Sequence, residues 1–592
     1  MTDIKTFYSS QANTHKTSLK KINKQLLVSS MIRLLLFVVV CLGVYLFFET
    51  TKAVVAIIIA GFVGFGFLVS RHSNLSFKKH FYKALIAIQE KELCALKRDF
   101  SDFPDGASYK NDTHFYSHDI DLFGKGSFFQ YINRTATANG TKKLVKKLTD
   151  NCTDAITKKQ EALKELAQKA SWRHQFSAHA TIATSETTTD QIVAMLKNHQ
   201  FFSPKIARFL SVIFAVLSAV VFTFYFIDFI SEMQLLLWFF IGLGISGFYF
   251  KKVNDLSAKM AKAQHVFYQH EHLIRLIEDE SFSSEKMKKL QKSIALKNQK
   301  AAVAIKQFAR LLDALDQRNN MIFGVVANGF GLWDLYQSYR IEKWMQTYGA
   351  AVENWFDVIA EIDALNSLSN FIFNHPNYTF PKIDTTGKTV ITAKDFSHPL
   401  LNPEKAVAND FEIKGEEFLI ITGANMAGKS TFLRTVSLGI VMANAGLPTC
   451  ASSFIYTPIK LITSMRTSDS LNDDESYFFS ELKRLKFIVD QIQKDTYFIV
   501  LDEILKGTNS TDKANGSKKF IEKLVASNST GLIATHDLSL CKVSDNYEEV
   551  NNFYFDAEII NDELYFDYTL KSGVAQNMNA SFLLKKMKIV DN

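Results

Sequence analysis

The chain has 592 residues, a formal net charge of +8 at pH 7 and 47% hydrophobic residues. That length exceeds what a single hydrophobic core organises, and 8 prolines with no Gly/Ser-rich tract argue against long flexible linkers. The 5 cysteines, Cys41, Cys94, Cys152, Cys450 and Cys541, are odd in number and scattered. They speak against a disulfide-stapled secreted scaffold, and no CxxC or Cys/His cluster suggests a metal centre.

A basic leader carrying Lys16, Lys20, Lys21 and Lys24 opens into two apolar runs, about 26–48 and 53–70. Two more follow at about 209–227 and 233–250. Each approaches the roughly 20 residues needed to cross a bilayer. Arg33 interrupts the first run near its start, and the second contains no charged residue. Arg71, Lys78 and Lys79 follow the second run, Lys205 and Arg208 precede the third, and Lys251 and Lys252 follow the fourth, while the short connections near Glu49 and Asp228 are acidic or nearly neutral. The positive-inside rule then predicts an integral membrane protein with four spans in two hairpins, both termini and all soluble parts being cytoplasmic. A cleaved signal peptide fits poorly, because a second span follows where a cleavage site should be. Much of the positive charge is explained by these flanks and by anionic headgroups.

The predicted organisation is therefore a leader and first hairpin (1–72), a mainly helical cytoplasmic segment (73–205), a second hairpin (206–252), more helix (253–374) and an α/β domain (375–592). Met260, Ala263, Phe267, His270, Ile274 and Ile277 recur at three- and four-residue steps, which reads as a packing stripe with His270 a satisfied neighbour. The Met321-to-Leu335 stretch is apolar but short and contains Asn328; it is expected to be a buried helix or loop. Lys142, Lys143, Lys146 and Lys147 read as a solvated helix face.

The α/β domain carries the chemistry. Phe418–Thr422 reads as a buried strand, and Gly423-Ala424-Asn425-Met426-Ala427-Gly428-Lys429-Ser430 fits G-x-x-x-x-G-K-[ST], with Thr431 opening a helix. Glycines let backbone N–H groups turn around phosphate oxygens, and the helix N-terminus adds partial positive charge. Lys429 would reach the β- and γ-phosphates and Ser430 would hold Mg²⁺. A second apolar strand ends in Asp502-Glu503; Asp502 would hold the magnesium shell and Glu503 would polarise the attacking water. A third, Gly531–Thr535, ends in His536, at the sheet edge where ligands collect. His536 is expected to sense the γ-phosphate. These residues predict an ATPase using ATP and Mg²⁺.

With its loop written T-G-A-N-M-A-G-K-S-T, the chain resembles the MutS family of DNA mismatch-repair ATPases, within the ABC superfamily; no L-S-G-G-Q of an ABC transporter is found. His398-Pro399, Gly446-Leu447-Pro448, Asp502-Glu503-Ile504 with Gly507-Thr508-Asn509, and Ala534-Thr535-His536 extend the similarity. Leu505 and Lys506 depart from that family's usual Gly-Arg pair. More faintly, Asp119–Gly124, Gly126–Phe129 and Ile132–Thr137 resemble the start of the MutS helical core, from about residue 110, and Ile362–Leu365 before Tyr378–Pro381 its exit. The resemblance implies an all-α MutS-like core, Asn425 lining the nucleotide, a homodimer closing through its ATPase domains, and Ser476 meeting the partner's γ-phosphate.

The same comparison implies what is missing. The mismatch-reading domain with its Phe-x-Glu wedge has no counterpart, little chain remains for a DNA clamp, and the C-terminal dimerisation helices look truncated. No motif supports sequence- or mismatch-specific DNA reading. The expectation is a membrane-anchored, MutS-like ATPase lacking that domain, in which ATP and Mg²⁺ drive dimer closure. Its output stays open among DNA association, a membrane process driven with an unidentified membrane partner and without DNA, and a nucleotide-gated scaffold.

Overall fold

The computed structural model describes residues 2–182, 188–466, 477–505, 509–560 and 563–576. Helices fill the chain up to Asn374, and beyond it strands alternate with helices. The architecture is multi-domain, mainly helical, with α/β sheets at its C-terminal end.

Helices Thr2–Leu46 and Thr51–Leu96 form an antiparallel pair in which Gly61 and Gly64 face Val40 and Leu36. Neither helix stops where its apolar run stops. The basic leader is itself helical, and Ile4, Tyr8 and Ala12, at successive turns, are buried against the helical core. The Tyr8 hydroxyl donates to Asn374 Oδ1 at 2.7 Å. The apolar part of the pair is largely exposed, with Phe37, Phe48 and Phe62 facing outward.

Helices Ala207–Phe226 and Glu232–Asp279 repeat this plan. Phe214 and Trp238 stack at 4.6 Å, and the Trp238 indole donates to Ser218 Oγ at 2.8 Å. Together the two pairs supply four helices long and apolar enough to cross a membrane. The lower part of Glu232–Asp279 carries the packing stripe: Met260, Ala263, Phe267, Ile274 and Ile277 are buried. His270 is buried among them, its Nδ1 2.7 Å from the Val266 carbonyl, and burial holds its pKa down to about 4.

The stretch after Met321 departs from expectation. It forms helix Met321–Gly331, but only Gly324, Asn328 and Gly329 are buried, while Met321 and Ile322 are 82% and 78% exposed. Apolar composition alone does not separate a buried helix from one facing an apolar medium. Leu332, with φ 48°, then turns the chain into helix Trp333–Asn374, a single 42-residue rod.

Shorter helices wrap this rod. Phe308 stacks on Trp344 at 3.9 Å, and Phe267 meets both edge-on. Asp363, fully buried, accepts from the Thr137 backbone N–H at 2.8 Å, its hydroxyl at 2.7 Å, and the Ala136 N–H at 3.1 Å. It thereby ties the rod to the N-cap of Ala138–Thr149; burial pushes its carboxyl up to about 6 against those donors.

Among the described residues twelve strands follow: β1 Lys382–Ile383, β2 Thr389–Phe396, β3 Asn409–Lys414, β4 Phe418–Gly423, β5 Ser453–Tyr456, β6 Lys460–Ser464, β7 Tyr497–Asp502, β8 Thr530–Ala534, β9 Val550–Phe555, β10 Glu558–Ile560, β11 Glu563–Tyr565 and β12 Leu570–Ser572. The main sheet runs β12-β9-β4-β8-β7-β6, parallel except for β12. Near-continuous apolar β4, β7 and β8 suit a sheet buried on both faces. A second sheet, β1-β5-β2-β3, packs beside it. The edge strand β6 is covered by the helical half: the Thr463 N–H donates to the Phe115 carbonyl at 2.9 Å, and Asn151 exchanges two hydrogen bonds with Leu461 at 2.8 and 2.9 Å.

Candidate nucleotide site

Registration of three parallel strands builds the site. Ile421 of β4 lies opposite Ala534 of β8, and Ala534 opposite Asp502 of β7. The segments leaving these strands therefore emerge side by side at one sheet edge, as open α/β sheets require of a ligand crevice.

The loop from Gly423 needs backbone that other residues resist. Gly423 has φ 143°, and a Cβ there would lie 2.5 Å from the Phe555 carbonyl; Gly428 has φ 106° as it opens helix Lys429–Ala445. The Lys429 ammonium donates to the Gly423 and Ala424 carbonyls at 2.7 and 2.9 Å, so it bridges the loop from inside. Its Nζ also lies 3.3 Å from His536 Nε2. Burial lowers the Lys429 pKa to about 8, opposed by the charges of Asp502 and Glu503.

Ser430 Oγ donates to Asp502 Oδ2 at 2.7 Å, which brings together at the foot of the loop two oxygens of the kind that could hold a hard cation. Glu503 sits in the left-handed region at φ 53°, its N–H donating to the Ala534 carbonyl at 2.9 Å, and its Oε1 is 2.7 Å from His536 Nε2. The turn is fixed from below by buried Glu481, which accepts from the Leu505 N–H at 2.5 Å. A cavity of about 620 Å³ joins these groups, and Asn425, Met426 and Thr431 also line it. That volume falls in the range of small-molecule sites, roughly 300–1,000 Å³. A loop of backbone donors, one lysine and a Ser/Asp oxygen pair fits a nucleotide triphosphate with Mg²⁺.

Residues 419–589 match the family profile described as MutS domain V. This segment is similar to that domain.

Human MutS protein homolog 4 is 29% identical over 235 residues, which is 38% of this chain and 24% of that protein. The DNA mismatch repair protein MutS of Methanococcoides burtonii is 32% identical over 220 residues (35% and 24%). Endonuclease MutS2 of Ruminiclostridium cellulolyticum is 31% identical over 241 residues (40% and 29%). The matches thus span about a quarter of the length of these relatives.

Of the loop residues read from the sequence, Ala424, Asn425, Met426, Gly428, Lys429, Ser430 and Thr431 line the cavity together with Asp502, Glu503 and His536, while Gly423 and Ala427 are buried within the loop. Ser476 lies outside the described residues, as do Lys506, Gly507 and Thr508. Asn509 is within them and serves as an N-cap, accepting from the Asp512 N–H at 2.9 Å.

Sequence reasoning missed several parts of this site. His398, noted only as the domain's entry, lines the cavity, and burial with the nearby Arg434 and Arg98 holds its pKa down to about 4. It is therefore a neutral aromatic wall at neutral pH, and Tyr568 lines the same cavity against Gly428. The Asp119-Ile120-Asp121 run proves to be the joint between the helical half and the α/β domain. Buried Asp119 accepts from Thr463 Oγ1 at 2.5 Å and the Arg466 N–H at 2.9 Å. Asp121 pairs with Arg466 and with Arg434 at 3.0 Å, and Arg434 belongs to the helix that begins at Lys429.

Removing Asp119 leaves two donors without their acceptor, which costs about 1–3 kcal/mol for a buried group. Asp119→Ala is expected to loosen this joint, seen as faster hydrogen exchange at the Thr463 and Arg466 amides with unchanged protection of β4 and β8. Equal protection in both proteins would mean the joint is held elsewhere.

Proposed function

We propose that this chain is a membrane-anchored, DNA-associated MutS-type ATPase that hydrolyses ATP with Mg²⁺ and couples the cycle to dimer closure. The observation that carries the reading is the convergence of Lys429, Ser430, Asp502, Glu503 and His536 at one sheet edge within the segment similar to MutS domain V.

In this mechanism Lys429 and the loop N–H groups bind the phosphates, and Ser430 with Asp502 supplies oxygens to Mg²⁺. The bound cation neutralises charge developing on the phosphates. Glu503 orients and polarises water as general base, and His536 holds the Glu503 carboxylate in place beside the phosphate end. Met426, 80% exposed at the rim of the loop, supports a partner surface closing over the nucleotide, with Ser476 reaching across.

Anchoring is supported by the exposed apolar faces of the two helical pairs, by their length, and by basic residues at every end that joins the helical core. The cytoplasmic side then carries the ATPase and both termini. The similarity to relatives that include a DNA mismatch repair protein supports DNA as the associated polymer. One observation favours the alternative of a membrane-process ATPase without DNA: the matches cover only 35–40% of this chain.

The test is ATPase rate and DNA retention of detergent-solubilised full-length protein, with homoduplex, mismatched and branched DNA across a salt series. Stimulation or ATP-dependent retention that weakens steeply with salt supports the DNA reading. Hydrolysis indifferent to every DNA at low salt replaces it with the membrane-process reading.

A further inference from the structure

Helix Met321–Gly331 has no place in the packing of a soluble core. No charged residue occurs from Asn319 to Trp333. Of its buried residues, Asn328 and Gly329 meet the second helical pair and Gly324 packs against the Arg318 backbone, while Met321, Ile322, Val325 and Val326 are exposed.

Its depth can be read from its neighbours along Glu232–Asp279. At its base Arg318 donates to Asn254 Oδ1 at 2.6 Å and lies over the Phe250 ring at 5.5 Å. Higher up, Ser246 Oγ donates to the Asn328 carbonyl at 3.4 Å. At the tip, a Cβ on Gly242 would lie 2.1 Å from the Gly329 carbonyl, and Phe330 meets Phe239 at 5.1 Å and Phe222 at 4.7 Å. The helix therefore climbs beside residues 250 to 239, about 16 Å at 1.5 Å per residue. That is roughly half of a ~30 Å hydrocarbon core.

The turn at the tip is built for a place without water. Non-helical backbone is tolerated at membrane depth only where protein satisfies it. Here Asn328 does so from within: its Nδ2 donates to the Gly324 carbonyl at 2.9 Å and its Oδ1 accepts from the Asp334 N–H at 3.0 Å. Leu332 and Leu335 bury themselves against Ala207 and Phe214 of the neighbouring helix. Arg318 and Asp334, on either side of the helix in sequence, form a buried ion pair at 2.9 Å.

We infer that Met321–Gly331 is a re-entrant helix, which enters the cytoplasmic half of the bilayer alongside the second hairpin and turns back at Leu332 without crossing. Its outward face is covered by lipid acyl chains. The inference rests on the reading of the two hairpins as membrane spans, with which this face is continuous: Leu236, Leu237, Phe240 and Phe248 are exposed on the adjoining helix.

The test places a nitroxide spin label singly at Ile322, Val326, Leu217 and Val303 in full-length protein reconstituted into phosphatidylcholine/phosphatidylglycerol vesicles. The five native cysteines are replaced, and retained ATPase activity certifies the fold. Collisions with oxygen and with a water-soluble nickel chelate are then compared. Labels at 322 and 326 are expected to resemble the one at Leu217 in the hairpin, favouring oxygen several-fold over nickel, and to differ from Val303 on a soluble helix. Nickel access at 322 and 326 with Leu217 still in lipid overturns the re-entrant helix and leaves the spans standing. Nickel access at Leu217 as well overturns both. Exclusion of both reagents from 322 and 326 means a protein surface, such as a second copy, covers this face, and also overturns the inference. If the cysteine-free background does not fold, a benzophenone amino acid at 322 serves instead. Crosslinks to acyl chains are then expected, and crosslinks to protein alone overturn the inference.

Discussion

Glu503→Gln is expected to lower the rate of ATP hydrolysis by about 10²- to 10⁴-fold, the span typical of losing a positioned general base. Affinity for nucleotide should persist, because the amide keeps the shape of the carboxyl and leaves Lys429, Ser430 and Asp502 untouched. The size of the effect follows from placement. Glu503 is held at φ 53° by the Ala534 carbonyl and lies 2.7 Å from His536, so its carboxylate has little freedom to be replaced by a neighbour. Single-turnover hydrolysis and equilibrium binding of a fluorescent ATP analogue separate the two quantities. Wild-type turnover in the variant would remove Glu503 from the chemistry; loss of binding in step with turnover would make it a structural residue.

Lys429→Met should act on the other quantity. A hydrogen bond to a charged group is worth about 1.5–3 kcal/mol, so nucleotide affinity is expected to fall by roughly 10- to 100-fold. The lysine also predicts a proton signature. Its pKa in the nucleotide-free fold is lowered to about 8 by burial, and a triphosphate beside it favours the charged form. Binding should then take up almost no proton near pH 6.5 and approach one near pH 9, with affinity falling as pH rises past 8. The stability sign is opposite. Between pH 8 and the ordinary lysine value the unfolded chain holds more protons, so the nucleotide-free fold gains stability as pH rises through that window. Calorimetry in buffers of different ionisation enthalpy reads the uptake directly. Equal uptake by wild type and Lys429→Met would assign the proton to another group.

How much of this was legible in the sequence depended on how local each feature is. The phosphate loop is contiguous, so spacing alone located Lys429 and Ser430, and apolar runs ending in Asp502-Glu503 and His536 located strand ends. The sheet then did the rest by register. Glu481 was invisible because its partner, the Leu505 N–H, is 24 residues away. The joint at Asp119 and Asp121 carries a family resemblance in the sequence but no legible role, since Thr463, Arg466 and Arg434 lie more than 300 residues downstream. Hydropathy found four apolar runs yet missed that the leader and the segment after Ser70 continue the same helices. Amphipathic and uniformly apolar helix leave different sequence traces within one rod. Met321–Gly331 was misplaced because its small residues mark only the edge that touches protein.

Helix Trp333–Asn374 runs unbroken from that apolar turn to the residues bonded by Tyr8 and Asp363's partners. Forty-two residues make a strut of about 63 Å. Were its lower end tilted by ~5° as the two halves of a nucleotide-bound dimer close, its upper end would travel on the order of 5 Å, close to one helical turn. In the proposed membrane-anchored dimer, closure at the nucleotide would then arrive among the lipids as a stroke, carried by one unbroken helix.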